Sequence, residues 1–193
     1  VPDTTILGLK TLFSMLNAND VNLKGTLLKP NMVVSGTDAP IQASVSEVAE
    51  LTLKVLKENV PSDLAGIAFL SGGQPDLLAT EHLDAMNKIG GLSSPLSFSY
   101  GRALQQPALK AWMGQLDNKE AAQEAFSHRA LMNKLASKGE WQKDLEKLIY
   151  FLINLAPNNP NSNKIQVGIA NKVCEITSGG VRSIPNTKQP MTT

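Results

Sequence analysis

Lys29 closes the apolar run in "LKGTLLKPNMV", residues 23–33, and Pro30 follows it at once. A lysine there has two readings. Its stem can lie along the apolar strand while the amine reaches water. Alternatively Leu27, Leu28 and Met32 desolvate the amine, which favours its neutral, nucleophilic form. Such an amine adds to a carbonyl and forms a Schiff base, an electron sink for carbon–carbon cleavage. Two more stretches carry chemistry-bearing residues. "LSGGQ" places Ser71, Gly72 and Gly73 in a turn, and "SYGRAL" places Ser99, Gly101 and Arg102 before a helix. Glycine-rich turns are common as plain turns. They also let backbone N–H groups approach an anion, and a guanidinium suits phosphate. Arg102 alone reads equally as a solvated surface residue.

What makes these residues one candidate site is where the elements end. "GTLLKPNMVV", "AGIAFLSGG" (65–73) and "PLSFSYGR" (95–102) read as short strands, beginning near Thr26, Gly66 and Pro95. Between them run helical patterns. Ile6, Leu9, Phe13 and Leu16 recur at helical spacing over 5–17. Ser44 and Glu47 have capping-box spacing and open a helix whose face is Val45, Val48, Thr52, Val55 and Leu56. Leu78, His82, Ala85, Met86 and Ile89 form another face, ended by Gly90-Gly91. A helical stretch interrupted near Pro107 comes next. A helix over 118–138 follows, with Ala122, Ala125, Phe126, Met132 and Leu135 inward and Gly139 as its stop. Alternating strands and helices predict an α/β fold of parallel βα units, whose strand C-termini carry the site. Two phosphate loops after successive strands suit a barrel phosphate site.

The other candidates are weaker. His82 reads as a packed structural histidine and His128 as a solvated helix residue. Trp112 and Trp141 read as packing, and the Lys- and Glu-rich 138–147 as a solvated surface. The two histidines form no metal-ligand spacing. Cys174 is the only cysteine, so no intramolecular disulfide forms. A chain of 193 residues with 42% hydrophobic residues and a net charge of +1 suits one globular domain. It points away from nucleic acid as the main partner and holds no run long enough for a bilayer. No targeting peptide is visible. After about Leu148 the pattern dissolves into "APNNPNSNK" and "SGGVRSIPNTKQPMTT". We expect parallel βα units over 1–148 and a weakly structured tail over 149–193.

"GTLLKPNMV", "FLSGGQ", "SYGRALQ", "ALKAW" and "AAQEAF" together resemble the class I fructose-bisphosphate aldolases, from about Leu9 to Leu148. The resemblance implies the C-terminal portion of a (β/α)8 barrel. It implies reversible cleavage of fructose 1,6-bisphosphate to dihydroxyacetone phosphate and glyceraldehyde 3-phosphate, in glycolysis and gluconeogenesis. It further implies a lysine Schiff base with no metal or cofactor. Lys29 matches the Schiff-base lysine; Ser71, Gly72 and Gly73 match one phosphate loop, and Ser99, Gly101 and Arg102 the other. The implied partner is a sugar phosphate, without nucleic acid or membrane, in a cytoplasmic homotetramer (plastid where a transit peptide precedes the chain). The family's earlier strands, with their paired glutamates, have no counterpart here, and Pro107 stands where the family has a helix-compatible residue. The expectation is therefore a fragment with impaired activity, or a non-catalytic phosphate-binding module.

Overall fold

Strand β1 is only Leu27–Leu28, because Pro30 has no N–H to continue the ladder beyond Lys29. The strand read as reaching Lys29 and stopped by Pro30 thus ends one residue earlier, at Leu28. The computed structural model describes residues 2–147. The predicted tail over 149–193 lies outside them, as does Cys174.

The elements run α1 (Pro2–Ala18), β1, α2 (Val45–Asn59), β2 (Gly66–Phe69), α3 (Asp76–Ile89), β3 (Leu96–Phe98), α4 (Arg102–Trp112) and α5 (Lys119–Ala136). The three strands form one parallel sheet in the order β1-β2-β3. Leu28 lies opposite Ile67, and Ile67 and Phe69 lie opposite Leu96 and Phe98. Parallel partners share a face, so these five residues point to one side of the sheet. All but the half-buried Phe98 are buried there. The other side carries Leu27, Gly66, Ala68 and Ser97, and there Leu27 is 68% exposed. Gly66 has a packing reason. A Cβ on it would lie 3.1 Å from the Leu27 side chain.

The helices form where the periodicity places them. In α1, Leu9 and Phe13 are buried and Ile6 and Leu16 half-buried. In α2 the Ser44 Oγ accepts from the Glu47 N–H, and the Glu47 carboxylate accepts from the Ser44 N–H at 2.8 Å. Such a cap contributes about 1 kcal/mol. One buried residue of α2 also fixes the chain after β1: the Thr52 hydroxyl accepts from the Val33 N–H at 2.9 Å.

Helix α4 runs through Pro107 without the predicted interruption. The proline removes the donor that would serve the Ala103 carbonyl, and the flanking residues hold the helix regardless. Helix α5 buries Met132 and Leu135 as expected, but Phe126 is exposed, as are Ile89 of α3 and Trp112 of α4. Trp141 is buried, as read.

The segment after α5 departs from expectation at Glu146: Lys138, Glu140, Lys143 and Lys147 are exposed as read, but Glu146 is half-buried. Glu146 turns inward against α5 and accepts from Arg129 Nη2 at 2.5 Å, Trp141 Nε1 at 2.9 Å and Arg129 Nη1 at 3.1 Å. His128 is a half-buried member of the same cluster, 3.1 Å from Glu146, rather than a solvated residue. Arg129 also donates to the Thr80 hydroxyl, which donates to the Asn133 side chain at 2.8 Å. The cluster therefore clamps α3 to α5. Gly139 lets the chain turn back against α3: its φ is +71°, and a Cβ there would lie 3.2 Å from the Lys88 nitrogen. The Trp141 N–H then reaches the buried Asp84 carboxylate at 3.0 Å.

Burial pushes the Glu146 carboxyl up, but hydrogen bonds from His128, Arg129 and Trp141 and the Arg129 charge outweigh it, holding it at about 2. A carboxyl depressed on folding stabilises the fold above its unfolded value, and that contribution fades as pH falls toward the folded value. Acid titration of stability is therefore expected to show a loss between pH 4.5 and about 2. Discounted for solvent screening, it amounts to about 1–2 kcal/mol. Glu146→Gln should lower stability at pH 7 and flatten this acid limb; an unchanged limb in urea titrations would refute the assignment. Separately, Pro107→Ala restores the missing helix donor and should raise stability by about 1–3 kcal/mol, read as an increase in the urea midpoint at unchanged slope.

Candidate active site

Two main-chain bonds bring the predicted residues together. The Leu70 N–H donates to Pro30 O at 3.1 Å, and the Ser99 N–H donates to Phe69 O at 2.8 Å. Lys29, Ser71 and Ser99 therefore leave adjacent parallel strands at the same edge of the sheet. Neighbouring strands lie about 4.8 Å apart, so the three chain ends form one rim.

Within the rim, the Ser71–Gly73 loop is a tight turn closed by the Gln74 N–H donating to Ser71 O at 3.0 Å. Gly72 and Gly73 have φ of +59° and +82°, a region that costs residues with a Cβ roughly 1–2 kcal/mol. Ser71 is buried, while Gly72 and Gly73 are exposed. Arg102 opens α4 directly after Gly101, and it is exposed with its guanidinium beside the first loop. A Cβ on Gly73 would lie 3.9 Å from Arg102 Nη2. The two loops thus share one cation, and the exposed backbone between them is open to an anion.

Lys29 lies on this rim but not in the environment expected. Leu28 and Met32 are buried, whereas Leu27 and Lys29 itself are exposed. By strand alternation Leu28 points to the opposite side of the sheet from Lys29, while Leu27 shares its side.

Sequence reasoning missed three polar residues around the loops. The Asn31 Oδ1 would lie 3.4 Å from a Cβ on Gly72. Gln74 donates from Nε2 to the Met32 sulfur at 3.6 Å, while its Oε1 meets His82 Nδ1 at 2.6 Å. A carbonyl oxygen only accepts, so Nδ1 carries the proton and Nε2 is bare. Burial lowers the His82 pKa to about 4, so the ring is neutral at pH 7. Tyr100, next to Ser99, donates to Ala79 O at 2.9 Å, and burial raises its pKa. Its ring sits 5.5 Å from that of Phe98, fixing the second loop's entry. The only available signal for Gln74 was its place directly after the glycines.

A family model described as class-I fructose-bisphosphate aldolase matches residues 4–150. The chain belongs to the class-I fructose-bisphosphate aldolase family. It is 50% identical over 141 residues to a probable fructose-bisphosphate aldolase class 1 of Xylella fastidiosa, strain 9a5c. That match covers 72% of this chain and 42% of the relative. It is 48% identical over 135 residues to fructose-bisphosphate aldolase B of Gallus gallus, covering 69% of this chain and 37% of that one. Among solved structures it is similar to the Plasmodium falciparum fructose-bisphosphate aldolase, crystallised in a ternary complex with TRAP and a small-molecule inhibitor. The TM-score is 0.71 at 39% identity, covering 73% of this chain and 41% of that one. The chain thus spans about two-fifths of the length of the relatives it matches, and its three βα units are an incomplete portion of the family's barrel.

Gly73 offers a direct test of the loop. Gly73→Ala introduces a Cβ at φ +82° without a hard clash, so strain and a crowded anion approach are its two effects. Affinity for inorganic phosphate, measured by isothermal titration calorimetry, is expected to fall about tenfold, the equivalent of roughly 1.4 kcal/mol. Unchanged affinity would exclude this loop as an anion site.

Proposed function

We propose that the rim is the Schiff-base and phosphate-binding part of a class I fructose-bisphosphate aldolase active site. The observation that carries the reading is the meeting of Lys29, the Ser71–Gly73 loop and the Ser99–Arg102 turn at one sheet edge, with Arg102 beside Gly73. In this reading the Lys29 Nζ attacks the C2 carbonyl of fructose 1,6-bisphosphate and water leaves, giving a protonated imine. Cleavage of C3–C4 sends its electron pair into that imine. Glyceraldehyde 3-phosphate departs, and the enamine is protonated and hydrolysed to dihydroxyacetone phosphate. Backbone N–H groups of Ser71, Gly72, Gly73 and Gly101, the Ser99 hydroxyl and the Arg102 guanidinium hold phosphate. None of these residues is a base for the C4 hydroxyl proton, so the 193-residue chain by itself turns over little substrate. The whole enzyme in this reading is a cytoplasmic homotetramer, with its barrel portion here in 1–148.

The exposure of Lys29 favours a second reading, a module that binds phosphate without covalent chemistry. Borohydride reduction with dihydroxyacetone phosphate separates the two. The expected result is a reduced adduct mapped to Lys29 by peptide mass spectrometry and absent from Lys29→Arg. Phosphate binding without any adduct would replace the enzymatic reading with the module.

A further inference from the structure

His82 lies far from any strand end in sequence, yet its ring is tied to the phosphate loop. It is buried in α3, and its Nδ1–H donates to Gln74 Oε1 at 2.6 Å. Gln74 is the residue that closes the Ser71–Gly73 turn through its main-chain N–H. Its side-chain amide is held from both ends, by His82 on one side and by the Met32 sulfur at 3.6 Å on the other. Met32 is itself buried, three residues past Lys29. One glutamine therefore ties the chain leaving β1 to the loop leaving β2, and His82 fixes the glutamine.

The loop needs such a tie. Gly72 and Gly73 lack the side chains that would bias their backbone, and ordering glycine carries the largest conformational-entropy cost. A loop held in its binding conformation before the anion arrives avoids that cost at binding. The His82 ring is suited to hold the glutamine. It is neutral, it offers one proton, and that proton goes to Gln74. The bare Nε2 is buried with no partner. A histidine kept only for packing gains nothing from this arrangement over leucine.

We infer that His82, acting through Gln74, is a positioning residue that pre-organises the Ser71–Gly73 loop for phosphate. The inference rests on the reading of that loop as a phosphate site.

The test is a double-mutant cycle on the full chain, read as affinity for inorganic phosphate and, in parallel, as thermal stability. Gln74→Ala and His82→Leu should each weaken phosphate binding roughly tenfold, the loss of one net hydrogen bond. The double variant should be no weaker than either single one, because both remove the same tie. His82→Asn places an amide N–H close to where Nδ1 stands and should recover most of the affinity. Losses that multiply in the double variant, or affinity unchanged while stability falls, would overturn the inference, as would failure of His82→Asn to rescue. Gln74 is only half-buried, so Gln74→Ala decides the matter alone if His82→Leu does not fold: unchanged affinity overturns the proposal. Arg102→Ala separates anion binding from loop positioning. If Arg102→Ala weakens binding and the His82 and Gln74 variants do not, the positioning role falls and the phosphate site stands. If the unmodified chain binds no phosphate, both fall.

Discussion

The constraint on which the site depends is the level register of three short parallel strands. The bonds from Leu70 to Pro30 and from Ser99 to Phe69 continue the ladder one step past the regular strands. That step carries the lysine, the glycine turn and the arginine turn to one edge. A side-chain contact between loops lets them drift, whereas a main-chain bond fixes them to within its own narrow distance range. With strands of two, four and three residues, most of the ordering comes from the layer beneath. Leu28, Ile67, Phe69 and Leu96 bury one face of the sheet and leave the other open.

The second organising feature is the charged cluster under α3. Arg129 is buried and would be costly there without Glu146, Thr80 and, at 3.8 Å, Asp76. Asp76 is the first residue of α3, so the cluster also fixes the helix that begins just after the glycine turn. Tyr100 hooks the second loop to the same helix through Ala79. Helix α3 thus receives support from α5 and passes it to both loops, while its own His82 holds Gln74. The rim is organised from below by one helix.

How much of this was legible in the sequence differs by the range of the interaction. Local signals were readable: the Ser44–Glu47 capping box, the Leu9 and Phe13 face, and the glycines after β2 all act within a turn or two. Pro107 misled because propensity is a local cost, and packing of α4 against its neighbours overrides it. Glu146 misled because a Lys- and Glu-rich run says nothing about which carboxylate meets a buried arginine 17 residues earlier. Gln74 and His82 are eight residues apart, and no periodicity rule pairs a loop amide with an imidazole inside the next helix. For Lys29 the legible part is its place at a strand end; adjacent residues on a strand face opposite sides, so Leu28 points away from it while Leu27 shares its side.

Pro30 has a further consequence for how β1 is seated. Strand β1 meets β2 through the Leu27 and Leu28 pairs, and beyond them the Pro30 carbonyl accepts from Leu70. A register held at so few positions is poorly specified by pairing alone, so the burial of Leu28 beside Ile67 has to select it. The proline that delivers Lys29 to the rim therefore hands the choice of register from the backbone to the core.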